Sequence, residues 1–163
     1  MRYAGIIKND TAAAPGLSVS FYTQGCPFHC PGCHNPETWD FNGGKEFKSE
    51  VIDDVIYSLN CNGIHRTLSI LGGEPLCPEN RFLTLLLMQE VRRRSPDTPI
   101  YIWTGYTMAE LEEAHGDAHL DKILEMANVI IDGRYFESMR DITLPMRGSS
   151  NQTINYIDKF EKK

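Results

Sequence analysis

Regular alternation of strand-type and helix-type runs limits the possible folds of this chain more than any other feature. Residues 17–23 (LSVSFYT) put Leu17, Val19 and Phe21 on one side of an extended segment. Residues 49–59 then gather Val51, Ile52, Val55, Ile56 and Leu59 on one helical stripe, with Ser49 in the N-cap position. The pattern continues with a short buried strand over 67–71, an apolar helix over 80–94, a strand over 100–104, helices over 108–114 and 120–126, and a strand over 129–131. Such alternation predicts βαβ units, a parallel sheet and right-handed crossovers. Residues 2–7 and 153–156 read as added edge strands, and the tail 158–163 as frayed. With 163 residues the chain is expected to form one domain, its core at about 17–135 and its segment 145–157 packing near the site. An eight-unit barrel needs about 250 residues, so only part of one is within reach. A partial (β/α) barrel with helices outside and an open doubly wound sheet both fit, and both place function at the carboxyl ends of the strands.

Composition narrows the chemistry. A net charge of -6 and a pI near 5.3 argue against a nucleic-acid partner, which wants a basic face. The basic run Arg92-Arg93-Arg94 closes a helical segment, where cations complement the helix dipole. No run has the length of a membrane span or the pattern of a signal peptide, so the expected location is cytoplasmic, with no membrane partner. In that reducing compartment the five cysteines point to metal or catalysis rather than to disulfides. Three of them, Cys26, Cys30 and Cys33, form a C-x3-C-x2-C run within CPFHCPGC. An iron–sulfur cluster normally takes four cysteines. A set of three leaves one position open to a small molecule, as catalytic zinc does. The alternative is a zinc knot completed by His29 or His34. Cys61 and Cys77 read as small buried hydrophobes, although Cys77 follows Glu74 closely enough to lie near the site.

In a parallel sheet the strand ends share one rim, so residues that follow successive strands become neighbours. Here they are Gln24-Gly25 with the cysteine loop, Gly72-Gly73-Glu74-Pro75, Thr104-Gly105-Tyr106 and Asp132-Gly133-Arg134-Tyr135. Pro27, Pro31 and Gly32 suit a loop that wraps tightly. Gly72-Gly73 is either a tight turn or a place where backbone approaches a ligand, beside an acid suited to a cationic amine. Asp132 either caps a turn or meets a ligand or cation. Residues 147–152, taken alone, read as a polar loop. His115 and His119 are separated by Gly116 and Asp117, which favour a helix break over a metal pair, and Asn42-Gly43-Gly44-Lys45 lacks the full P-loop pattern and reads as a turn.

The C-x3-C-x2-C run followed by Gly72-Gly73-Glu74-Pro75 resembles the signature of the radical S-adenosylmethionine (SAM) superfamily. Within it, CPGCHNPETW at 30–39, WTGY at 103–106, DGRY at 132–135 and RGSSNQ at 147–152 resemble the small activating enzymes of anaerobic ribonucleoside-triphosphate reductase. The resemblance runs nearly end to end. It implies a partial (β/α) barrel of the radical SAM type over 1–163, with parallel strands and helices outside. It implies that Cys26, Cys30 and Cys33 hold three irons of a 4Fe-4S cluster, and that the fourth iron takes the amino and carboxylate groups of SAM. Gly72, Gly73 and Glu74 would then orient the amino group, Gly32, His34, Thr104 and Asp132 complete the cofactor-binding set, and residues 147–152 would bind SAM or dock the reductase. No residue would act as acid or base, since the chemistry lies on cluster and SAM. The implied partners are the large catalytic subunit of the reductase, whose backbone glycine receives the radical, and an electron donor such as flavodoxin. One departure stands out: the superfamily often has an aromatic residue where this chain has Gly32, leaving adenine stacking to Tyr106, His34 or Trp39. Competing readings are another small radical SAM enzyme, of the formate-lyase activator or deazapurine synthase type, and a non-catalytic zinc or iron–sulfur module.

Overall fold

The computed structural model describes residues 1–157, so the 158–163 tail lies outside the described residues. The elements are β1 (Arg2–Asp10), β2 (Ser18–Thr23), β3 (Lys45–Glu46), α1 (Ser49–Asn60), β4 (Thr67–Gly72), α2 (Pro78–Arg94), β5 (Ile100–Trp103), α3 (Met108–Glu113), α4 (Ala118–Met126), β6 (Val129–Asp132) and β7 (Thr153–Tyr156). The strands form one sheet of order β3-β1-β2-β4-β5-β6-β7. Its middle, β2-β4-β5-β6, is parallel and runs in chain order. Right-handed crossovers that always advance in one direction leave their helices on one face. A doubly wound sheet reverses its order at a switch point; this sheet does not.

The expectation of parallel strands throughout holds only for that middle. β1 is antiparallel to β2 and to β3, and β7 is antiparallel to β6. The strand expected over 2–7 continues to Asp10; β3 covers only Arg2 and Tyr3, so beyond them β1 is the border of the sheet on that side among the described residues. The Arg2 guanidinium donates to the Gly43 and Gly44 carbonyls, drawing the 42–45 turn and the two-residue β3 alongside. A strand of two residues has no periodicity to read.

Pleating explains the core. Val19, Phe21, Leu68, Ile70, Ile100, Ile102 and Ile130 join Val55, Leu59, Leu83, Leu87 and Ile123 of the helices in one buried cluster. Helix boundaries follow local chemistry. α2 begins at Pro78, where the absent N–H costs no helical bond, two residues before the expected start. α1 begins at Ser49 itself, with Lys48 as the capping residue; the Ser49 hydroxyl turns to Glu50 instead of the helix end. Thr107 and Glu110 form a reciprocal capping box at the start of α3. Asp117 caps α4 by accepting from His119 and Leu120, so the 115–119 region is the expected break. Arg92 donates to Thr98 O and Met126 O, tying the end of α2 to the end of α4. Among the described residues no helix is long and apolar enough to cross a membrane.

Candidate functional site

The loops that leave β2 and β4 continue their parallel pairing beyond the strands. Gly73 N donates to Thr23 O at 2.9 Å and Glu74 N to Gly25 O at 2.8 Å. This close approach explains both glycines. Gly72 has φ +106, and a Cβ there would stand 2.8 Å from Thr23 N; a Cβ on Gly73 would strike the Gly25 backbone. Asn80, in the first turn of α2, bridges the two loops by donating to Gly25 O (3.1 Å) and Glu74 O (2.9 Å). Sequence reasoning missed Asn80, since nothing in a helical run marks which residue will point back to the rim.

The cysteine loop is held at its base by Gly25 N to Thr38 O (2.7 Å) and Cys26 N to Trp39 O (3.1 Å). Gln24 Nε2 donates across the base to Glu37 O and Asp40 O. Within the loop, Phe28 is wedged between the edge of Tyr106 (4.8 Å between centroids) and the Arg134 guanidinium, 4.2 Å above its ring. A Cβ on Gly105 would come 2.5 Å from Phe28. His29, at φ 47, stacks on Trp39 at 4.7 Å, and His34 leans on Tyr135 at 5.2 Å. The imidazoles proposed as zinc ligands are thus engaged in ring contacts. Cys33 N bonds Cys30 O at 3.0 Å, closing a turn between the second and third thiols.

These loops enclose a cavity of about 490 Å³ lined by Cys26, Cys30, Cys33, His34, Gly72, Gly73, Glu74 and Thr104. Two expected site residues, Gly32 and Asp132, are not on its wall. Gly32 packs under the Glu137 carboxylate, which accepts from Tyr135 Oη at 2.6 Å. Asp132 accepts from Met108 N at 2.8 Å and from the Thr153 hydroxyl, bonds that join α3, β6 and β7. Tyr106 lies against Phe28, off the wall, whereas His34 and Trp39 remain on it. Tyr22, Trp103 and Met146 also line the cavity; the sequence offers Trp103 only as part of WTGY and Met146 only within the 145–157 segment expected near the site, and does not single out Tyr22. Trp103 Nε1 donates to Met146 O at 2.8 Å, fastening the 144–148 segment across the sheet. Its inward direction was available from the pleat, since its neighbour Ile102 belongs to the core. Cys61 is half-buried and Cys77 fully buried; neither lines the cavity, and burial pushes the Cys77 thiol up to about 12.

Glu74 is 1% exposed and faces the next strand end. Oε1 accepts from Thr104 Oγ1 (2.7 Å) and Leu76 N (2.9 Å), and Oε2 from Gly105 N (2.7 Å). Burial pushes its carboxyl up to about 7, opposed by these donors and by the charge of Arg134. Burial also raises the thiols of Cys26 and Cys30 above their ordinary range. A metal bound there must displace their protons.

The donor set fits an iron–sulfur cluster. Three soft sulfur ligands share one wall, and the Trp39 indole nitrogen, buried and without a hydrogen-bond partner among the described residues, is a donor suited to sulfur acceptors. Among the described residues no three His, Cys, Asp or Glu side chains converge on a single ion. A cluster makes a different demand, with each cysteine on its own iron. The family model for a 4Fe-4S single cluster domain matches residues 12–155, from ahead of β2 into β7 and without β1. Similar full-length proteins come from Salmonella typhimurium (36% identical over 158 residues, 96% of this chain and 99% of the relative), Escherichia coli (35%, with the same coverage) and Vibrio cholerae (35% over 156 residues, 95% and 97%). Each is described as an anaerobic ribonucleoside-triphosphate reductase-activating protein. The chain belongs to this family of activating proteins.

Proposed function

We propose that this chain binds a 4Fe-4S cluster through Cys26, Cys30 and Cys33, uses it to cleave SAM reductively, and places a glycyl radical on the large subunit of anaerobic ribonucleoside-triphosphate reductase. The reading is carried by one observation: the three thiols and the Gly72-Gly73-Glu74 loop line the same cavity. Held by Cys26, Cys30 and Cys33, a cluster would supply the one-electron reducing chemistry that splits SAM into methionine and a radical able to take hydrogen from a glycine. The cofactor supplies that chemistry; the protein supplies position and the exclusion of water.

In this reading the backbone of Gly72 and Gly73 meets the amino group of SAM. Glu74 acts behind them, because its oxygens already hold Thr104, Gly105 and Leu76 in place. Trp103 and Met146, joined by the indole bond, add to the wall of the cavity. The singly wound sheet serves as the partial barrel of the radical SAM type, with the cavity at its strand ends admitting part of a large protein substrate. The setting is a reducing cytoplasm, with a one-electron donor such as flavodoxin.

Anaerobic reconstitution with iron and sulfide should give a brown protein. Dithionite and SAM should then yield methionine and 5'-deoxyadenosine, and a glycyl radical doublet by electron paramagnetic resonance only when the large reductase subunit is present. A colourless, zinc-loaded chain would overturn the cofactor assignment. Cleavage of SAM with no radical on the reductase would overturn the assigned substrate.

A further inference from the structure

We propose that the loop following β6 is the surface on which the protein substrate docks, through Phe136, Met139 and Ile142. The inference rests on the proposed function, which requires a backbone atom of a second protein to reach the cavity. Whatever enters must cover the walls of the entrance.

One side of this loop is cavity wall, contributed by Tyr135, Leu144, Met146 and Arg147. The other side turns apolar groups to solvent: Phe136 is 49% exposed, Met139 41% and Ile142 84%. Single exposed apolar residues are ordinary on a protein surface, but three within seven residues beside a reaction cavity mark a contact surface. The backbone holds them there. Met139 N donates to Phe136 O at 3.0 Å, Ser150 N to Met139 O at 2.9 Å and Asp141 N to Gly148 O at 3.1 Å, with a bridge between Arg140 and Ser149. Phe136 N donates to Ser149 Oγ, and Trp103 Nε1 fastens the far strand of the loop through Met146. An apolar surface held by this many bonds is ready before its partner arrives, which lowers the ordering cost of association. The same loop packs Glu137 over Gly32, between the second and third cysteines, so a protein seated on it lies directly over the cluster turn.

The test uses the full chain with its cluster reconstituted, bearing Ile142→Asp or Phe136→Ser, and Tyr57→Ser as an exposed apolar control on α1. Binding to the large reductase subunit is measured by interferometry, and dithionite-driven SAM cleavage is measured without partner. Both loop variants should bind about tenfold or more weaker, as contact hot spots do, and lose glycyl radical yield, while SAM cleavage stays within about twofold of the unsubstituted chain. The control should match the unsubstituted chain in every assay. Unchanged binding by Ile142→Asp and Phe136→Ser would overturn the docking surface and leave the proposed function standing. So would a defect that appears only when a flavoprotein donor replaces dithionite, since the loop would then serve electron delivery. Failure of the unsubstituted chain to bind the subunit or generate the radical would overturn the proposed function, and this surface with it.

Discussion

The two faces of the sheet are built from alternate residues of the same strands, yet they have opposite characters. On the helix-covered face Val19, Phe21, Leu68, Ile70, Ile100 and Ile102 are apolar and fully buried. On the other, Ser18, Ser20, Tyr22, Ser69 and Trp103 bring hydroxyls and aromatic rings beside the apolar Leu71, Val129 and Ile131, and Tyr22, Leu71 and Trp103 line the cavity. The buried hydroxyls are satisfied within the face: Ser20 donates to Asp10 at 2.6 Å and Ser69 to Ser18 at 3.2 Å. The comparison teaches that a period of two lets one strand serve stability on one side and a reaction space on the other, with little interference between them.

The sharpest break in that separation should come from the cysteines. Cys26→Ala, Cys30→Ala or Cys33→Ala should abolish bound iron and SAM cleavage, while the cluster-free chain melts near its unsubstituted temperature. Cys61→Ala should keep its iron, because that thiol lies off the cavity. Iron analysis and calorimetry decide, and equal iron loss in Cys61→Ala would mean that the ligand set is misassigned. The opposite pattern is expected on the helical face. Phe21→Ala should cost about 3–5 kcal/mol by urea denaturation, yet the surviving folded protein should still take up a full complement of iron. Loss of iron from folded Phe21→Ala would show that the faces are coupled.

Glu74 tests the seam where the faces meet. Its carboxyl titrates near 7 in the fold against 4.5 as the ordinary value, so the fold favours the protonated form. That contribution is intact below pH 4.5 and is lost as the pH rises through about 7. The swing amounts to about 3 kcal/mol in the cluster-free chain. The urea midpoint should therefore fall between about pH 5 and pH 8, and Glu74→Gln should flatten that slope. A midpoint that rises over this range would show that Glu74 is held ionised.

Much of this arrangement is legible in the residues themselves. Alternation in 17–23 and the stripe in 49–59 reveal strand, helix and buried face because periodicity reports geometry directly. The cysteine spacing and the glycine pair are equally readable, since few other residues suit a metal loop or so close a backbone approach. Direction is harder. Glu74 and Asp132 both sit just where strands end, yet Glu74 turns to Thr104 and Gly105 while Asp132 turns to Met108 and Thr153. Rotamer and neighbouring strand decide this, and neither is encoded locally. For the same reason β3 and the bridging Asn80 emerge only with the tertiary structure.

The margins of the sheet have a consequence for solubility. An unpaired strand edge is a template for another copy of the same chain, and the hazard grows with its length and flatness. Here β3 is only Lys45–Glu46 and covers Arg2 and Tyr3 alone, so the rest of that border is β1 itself, while the other border is the four-residue Thr153–Tyr156, whose Asn155 side chain turns back to Ile130 O at 3.1 Å. The β1 border is guarded by other means: its register is broken between Tyr3 and Gly5 and between Ile7 and Asp10, and Lys8 on it reaches Asp54 of α1 at 2.7 Å. Irregularity and charge, rather than shortness alone, make this margin a poor template for a second copy, even when the protein accumulates without its partner.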